Sequence, residues 1–315
     1  MVTNSISNPG PHALTPIHVE LVEVGPRDGL QSDAVTLPTA TKLELINRLV
    51  DAGVRRIEVA SFVNPKRVPQ MADAEAVLAG LPKRDDVHYI GLVLNRKGFD
   101  RALAAGCRDI SMVTAATDEF AVRNQGAPIA ELIAAWNEIA PLARAANVAA
   151  EVTLSVSFGC PFAGEVSMQR VVDLAQQLAV AEPAAIVLAD TIGVAVPNQV
   201  AELFTRVRAA VPSHIALRAH FHNTRNTAVA NAQAAFDVGV RSFDASVGGI
   251  GGCPFAPNAT GNVASEDLLY LFERSGYQTN IALDRMIETA HWLGAQLHKT
   301  MPSMVSRAGS WPIKT

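Results

Sequence analysis

The stretch VELVEVGPRDGLQ, residues 19–31, decides the fold. Its first half is rich in β-branched residues, as a strand should be, and it breaks at Gly25-Pro26. An open doubly wound sheet is expected to follow its first strand with a GxGxxG turn. Here the turn reads GPRDGLQ. Seven further β-rich runs follow: RIEVAS (56–61), YIGLVL (89–94), DISMVT (109–114), EVTLSVS (151–157), AIVLAD (185–190), IALRAHFH (215–222) and SFDASVG (242–248). Between them lie Ala-rich stretches with apolar residues at helical spacing, at 38–52, 69–80, 128–146, 167–181, 197–210 and 225–238. Eight strands alternating with helical crossovers predict a closed (β/α)8 TIM barrel, with two extra C-terminal helices near 263–275 and 281–299. No linker interrupts the alternation. The expected organisation is a loose polar tail over 1–17 and one barrel domain over 18–315.

Composition bounds the function. The chain has 315 residues, 49% of them hydrophobic and 18% charged, with a net charge of -4 and its Lys and Arg scattered. Neither a nucleic-acid nor a membrane surface is implied. No apolar run approaches the roughly 18 residues of a membrane span. Cys107, Cys160 and Cys253 are odd in number and widely spaced, which argues against a disulfide framework or a paired-cysteine zinc site and suits a reducing cytoplasm. Residues 1–17 contain no Lys or Arg, so they resemble neither a secretory signal nor a transit peptide.

In such barrels the chemistry lies at the C-terminal strand ends. Those ends carry Arg27, Asp28 and Gln31, then Glu58 and Ser61, Cys160, Asp190 and Thr191, His220 and His222, and finally Cys253 and Asn262. His220 and His222 are two apart on a strand, so both imidazoles share a face and can share one cation. Asp28 can approach from nearly across the barrel. With Asn262 or water, the donors are mixed nitrogen and oxygen, a set suited to an open catalytic metal site rather than a closed structural zinc. Arg27 is placed to hold an anion or a developing oxyanion. Glu23 and Glu58, on barrel strands, need partners; one or both are expected to orient Arg27 or a ligand, against the alternative that Glu58 pairs with Arg55 or Arg56. Cys253 sits in GGIGGCPFAPNATGN (248–262), where five glycines surround it on a loop able to press against a ligand. Cys160, in FGCPFAG, reads as a packed thiol.

Five segments carry a family likeness: VEVGPRDGLQ (22–31), IEVASFVNPKRVPQMAD (57–73), ADTIGVAVP (189–197), HFHNT (220–224) and SVGGIGGCPFAPNATGN (246–262). Together they resemble 3-hydroxy-3-methylglutaryl-CoA lyase, over about residues 18–300. The resemblance implies a TIM barrel with bound Mg2+ or Mn2+ that cleaves its acyl-CoA substrate to acetyl-CoA and acetoacetate, coenzyme A entering only as part of the substrate. It implies Asp28, His220, His222 and Asn262 as metal ligands, and Cys253, Arg27, His220 and Glu58 as catalytic residues. Arg27, Gln31, Thr191 and Val187 are the implied substrate contacts. It further implies a homodimer or higher homo-oligomer and a role in leucine degradation.

The chain departs from that family's usual pattern at five positions, one of them Ala282 near the C-terminal helix, where an Asn or Asp is common. DGLQSDA places Ala34 where a lysine is usual, VLADT places Val187 where a serine is usual, and HNTRN carries Asn223 and Asn226 in place of HDTxG. Loss of two donors for a substrate carboxylate raises the alternative of another branched 3-hydroxyacyl-CoA, citramalyl-type or prenyl-extended; the standard substrate stays ahead, its carboxylate being open to other groups such as Arg225. A similar barrel serves condensing enzymes of the isopropylmalate synthase type, but the cysteine loop and the end of the chain soon after the barrel favour the lyase.

Overall fold

A computed structural model describes residues 17–252 and 261–312. The tail expected over 1–17 lies, except for Ile17, outside the described residues, as does Cys253. Eight parallel strands close into a barrel in chain order: β1 (Glu20–Glu23), β2 (Arg56–Ser61), β3 (His88–Val93), β4 (Asp109–Ala115), β5 (Ala149–Ser155), β6 (Ala185–Asp190), β7 (Ala216–Phe221) and β8 (Ser242–Ala245). Helices α1 (Thr39–Ala52), α2 (Ala74–Gly80), α3 (Arg96–Ala104), α4 (Asp118–Gln125), α5 (Ile129–Ala145), α6 (Met168–Ala179), α7 (Pro197–Ala210) and α8 (Ala228–Asp237) fall between the strands. After β8 come α9 (Ser265–Arg274), α10 (Leu283–Gln296) and a short α11 (Met304–Ala308).

The period of two along each strand separates two environments. Outward residues such as Leu21, Ile57, Met112, Leu154, Leu188 and Phe243 join the helices in one continuous apolar core. Behind β8, Phe272 of α9 lies 5.1 Å from Phe243 and 5.6 Å from Phe236, ring centre to ring centre. Inward residues make only a small apolar cluster, Val22, Val24 and Ile90. The barrel interior otherwise holds polar and charged side chains, among them Ser111, Glu151, Thr153, Arg218 and Asp244.

β1 stops at Glu23 and β8 at Ala245, each earlier than the sequence suggests. After β1 the Val24 carbonyl accepts from the amides of Arg27 (3.2 Å), Asp28 (2.7 Å) and Gly29 (3.2 Å), winding residues 25–29 into a π-helical turn. Such turns are rare and concentrate at functional sites. This one swings Arg27 and Asp28 toward the strand ends. A side chain at Gly25 would strike Glu23 Oε1 at 2.6 Å, so the turn requires glycine there.

The C-terminal helices return the chain to the same end of the barrel. The Ala282 amide donates to the Ala52 carbonyl, starting α10 where α1 ends. Beyond α10 the Ser303 amide donates to the Gly248 carbonyl. That contact braces the root of the glycine-rich loop.

Candidate active site

A cavity of about 1310 Å3 opens at the C-terminal strand ends, larger than the roughly 300–1,000 Å3 usual for drug-sized ligands. Its wall includes Arg27, Asp28, Gln31, Glu58, Thr191, His220 and His222, so most of the residues predicted from sequence do converge.

Asp28, His220 and His222 each offer a ligand atom within 4.8 Å of the other two. Asn262 reaches them because its loop is stitched to the end of β7: the Asn223 amide donates to the Gly261 carbonyl at 3.0 Å and the Val263 amide to the Phe221 carbonyl at 2.9 Å. Asn262 Nδ2 donates to Asp28 Oδ2 at 2.7 Å and to the Ile250 carbonyl at 3.2 Å. Its Oδ1 is buried without a partner among the described residues, as is His222 Nδ1. Buried polar atoms are normally paired. Orphaned acceptors beside a carboxylate and a second imidazole fit a divalent cation. Gly251, at φ +102°, permits this approach, because a Cβ there would lie 2.7 Å from Asn262 Nδ2.

Arg27 anchors the acidic side. Its Nε donates to Glu58 Oε2 at 2.7 Å and its Nη1 to Asp28 Oδ1 at 2.6 Å, while Nη2 lies 2.5 Å from Glu58 Oε2. Glu58 therefore pairs with Arg27 and not with Arg55 or Arg56, which are taken by Asp86 and by Glu20 and Glu151. Burial would raise Asp28, but Arg27 and both histidines hold it well below the usual carboxylate range. Glu58 shares the same guanidinium and is pushed up to about 7, burial outweighing the pull of Arg27. Burial and the neighbouring His220 lower His222 to about 4, keeping it neutral as a metal ligand must be. Burial also disfavours charge on His220, yet Asp244 and Asp28 leave it raised overall.

Other predicted residues fall elsewhere. Glu23 does not orient Arg27: it faces the helices, accepting from the Gly25 amide (2.8 Å), the Val247 amide (2.9 Å) and Ser265 Oγ (2.6 Å). Asp190 folds the following loop by accepting from the Val194 and Ala195 amides. Ser61 is buried and absent from the cavity wall, and Cys160 is a buried thiol receiving a bond from Thr117 Oγ1 at 3.0 Å. Thr191 lines the cavity while its Oγ1 accepts from the Val156 amide.

Four of the five departures take on structural meaning. Val187 is fully buried and sits beside Arg218 in register, one layer beneath Ala189, which does line the cavity. The expectation that Val187 faces substrate is therefore corrected. Ala34 is exposed and away from the cavity wall. Asn226 adopts φ +58°, a left-handed position that glycine or asparagine suits, and Asn223 Oδ1 accepts from the Ala228 amide. Arg225 is absent from the cavity wall, and its Nη1 donates to the Ile192 and Gly193 carbonyls.

Sequence reasoning passed over the buried charges below the histidines. Arg218 shares its strand face with His220 and His222 by the same period of two, and Asp244 lies opposite His220 in register. The signal was an arginine and an aspartate inside runs otherwise read as apolar strands. Burial alone would raise Asp244, but Arg218 and His220 hold it low.

The model of the HMGL-like family matches residues 18–293. The chain belongs to that family. Among HMGL-like relatives, it is 44% identical to the (R)-citramalyl-CoA lyase of Chloroflexus aurantiacus, over 92% of this chain and 95% of that one. It is 42% identical to the hydroxymethylglutaryl-CoA lyase of Pseudomonas mevalonii, over 89% and 92%. A solved HMG-CoA lyase from Acinetobacter baumannii, in complex with coenzyme A and 3-methylmalate, superposes with a TM-score of 0.90 at 38% identity, covering 94% of this chain and 97% of that one.

Proposed function

We propose that this protein is a divalent-metal-dependent carbon–carbon lyase that cleaves 3-hydroxy-3-methylglutaryl-CoA to acetyl-CoA and acetoacetate. The observation that carries the reading is the cluster of Asp28, His220 and His222 at the mouth of a cavity large enough for an acyl-CoA, with Arg27 beside it.

The residues that would hold the metal are Asp28, His220, His222 and Asn262, two imidazole nitrogens and two oxygens; with water or substrate oxygens completing the shell, this mixed set accommodates Mn2+ or Mg2+. When bound, the metal supplies Lewis-acid activation of the substrate 3-hydroxyl. Once that hydroxyl gives its proton to solvent water, the bond between carbons 2 and 3 breaks. The ketone leaves, and the electron pair passes to carbon 2 and the thioester oxygen as an enolate. Arg27 has three of its five N–H groups engaged by Asp28 and Glu58 and uses the others to stabilise that oxyanion. Glu58 keeps the guanidinium in place. Gln31 and Thr191, both on the cavity wall, contact the acyl group. Cys253, outside the described residues, is the acid that protonates carbon 2; a thiol of ordinary pKa, about 8.5, carries its proton at neutral pH.

The coenzyme A moiety is polyanionic. Arg67, Lys97 and Arg123 lie exposed along one side of the cavity, and none is ion-paired among the described residues. Arg123 stacks 4.0 Å over the Phe162 ring, which fixes its direction. We assign the phosphates to these three side chains. The odd, widely spaced cysteines suit a reducing compartment, where we place the reaction.

A second reading, cleavage of (R)-citramalyl-CoA to acetyl-CoA and pyruvate, is favoured by the 44% identical relative. The test is a comparison of kcat/KM for the two thioesters on Mg2+- or Mn2+-loaded protein, with products identified by mass spectrometry. Acetoacetate at the higher kcat/KM supports the first reading; pyruvate at the higher value replaces it with the second.

A further inference from the structure

We propose that Asp244 is the positioning residue that fixes His220 as its Nδ1–H tautomer and turns Nε2 toward the metal. This rests on the reading of Asp28, His220 and His222 as a metal centre.

Asp244 on β8 is 6% exposed and stands opposite His220 on β7 in register. Its Oδ2 lies 3.0 Å from His220 Nδ1. A neutral imidazole has one N–H and one lone pair, whereas an ionised carboxylate can only accept. The pairing therefore places the proton on Nδ1 and leaves the Nε2 lone pair free. No such constraint acts on His222, whose Nδ1 has no partner among the described residues.

What keeps Asp244 ionised and in place lies beneath it. Arg218 Nε is 2.9 Å from Asp244 Oδ1. No N–H there is aimed at the oxygen, so this is an attraction of charge, and among the described residues the one directed hydrogen bond that Asp244 accepts comes from His220 Nδ1. Arg218 in turn grips both oxygens of Glu151, with Nη1 at 2.9 Å from Oε2. Arg56 Nη2 reaches Glu151 Oε2 at 3.0 Å, and its Nη1 reaches Glu20 at 3.3 Å. The ladder Glu20, Arg56, Glu151, Arg218, Asp244 and His220 thus crosses the barrel interior. From Glu20 to Asp244, each rung carries the charge opposite to the one below it. Arg218 lines the cavity, but its directed bonds commit it to Glu151, so its task here is to hold Asp244 ionised and in place by its charge.

A carboxylate behind a ligating histidine is worth about 10- to 100-fold in metal affinity. Asp244→Asn keeps the shape but presents an amide that can donate as well as accept, so it no longer dictates the tautomer. Mn2+ titration of the wild-type protein and this variant, followed by calorimetry, should show affinity falling about 10- to 100-fold, with the metal-free variant still folded by circular dichroism at the titration temperature. Equal Mn2+ affinities would overturn the role of Asp244. A wild-type protein that binds no Mn2+ would instead overturn the metal reading. Should the variant not fold, 15N spectra of histidine-labelled wild-type protein decide the matter without metal. At a pH high enough to leave the His220 ring neutral, a proton on Nδ1 with Nε2 bare supports the proposal, and a proton on Nε2 with Nδ1 bare contradicts it.

Discussion

One guanidinium between two carboxylates sets the electrostatics of this site. Arg27 bonds both Asp28 and Glu58, and the two acids diverge, Asp28 held ionised and Glu58 lifted to about 7. The acid that stays charged is the one beside the histidines. His222→Ala removes a ligand with no substitute nearby, so the purified variant should carry little or no metal; stoichiometric metal by elemental analysis would contradict the ligand set. Cys253→Ala should slow turnover by roughly 10²- to 10⁴-fold, the range for a positioned acid, while metal content stays the same. Unchanged turnover would remove the cysteine from the mechanism. At this scale the sequence was informative where chemistry repeats a simple period, as in His220 and His222. It misled at Val187, because a one-letter match to a neighbouring position does not say which layer of the barrel a side chain occupies.

The loops after β1 and β8 are held together by buried carboxylates. Glu266 of α9 takes the Gly248 amide at 2.9 and 3.1 Å with its two oxygens, and Glu23 takes Gly25, Val247 and Ser265. Burial pushes Glu266 up to about 8 and Glu23 to about 7. A raised native pKa means that the folded state binds the proton more tightly than the unfolded one. The associated stability is full below about pH 4.5 and is lost as pH rises through about 8. Glu266→Gln retains a carbonyl acceptor but cannot titrate. Unfolding temperatures of the metal-free protein between about pH 5 and pH 8 should therefore fall less steeply in this variant than in wild type; parallel slopes would refute the assignment. The strands and most helices were legible from periodicity, with β2 and β6 matching residue for residue. The π-helical turn was not, since three amides sharing the Val24 carbonyl depend on contacts from β8 and α9. The register shift between Glu58 and Ala60 was hidden as well, since it arises only where β2 pairs with β3.

At the scale of the molecule, closure of the sheet converts eight separate strand ends into one rim, bringing Asp28 to Asn262 across 234 positions of sequence. The barrel was readable because every βα unit repeats one pattern, but the charged ladder inside it was not, as its members lie on β1, β2, β5, β7 and β8 and meet only after closure. The net charge of -4 opposes a polyanionic substrate, which places the burden of capture on local cations. Arg123→Ala should raise KM for the acyl-CoA severalfold and leave kcat nearly unchanged, as loss of uniform binding does; an unchanged KM would move the phosphates elsewhere. The central claim is metal-dependent cleavage, and the most direct measurement is acetyl-CoA and ketone release from 3-hydroxy-3-methylglutaryl-CoA before chelation, after it, and after Mg2+ or Mn2+ is restored. Equal amounts of acetyl-CoA and acetoacetate, abolished by chelation and recovered with metal, are predicted; cleavage indifferent to the chelator, or none by metal-loaded protein, would contradict the account.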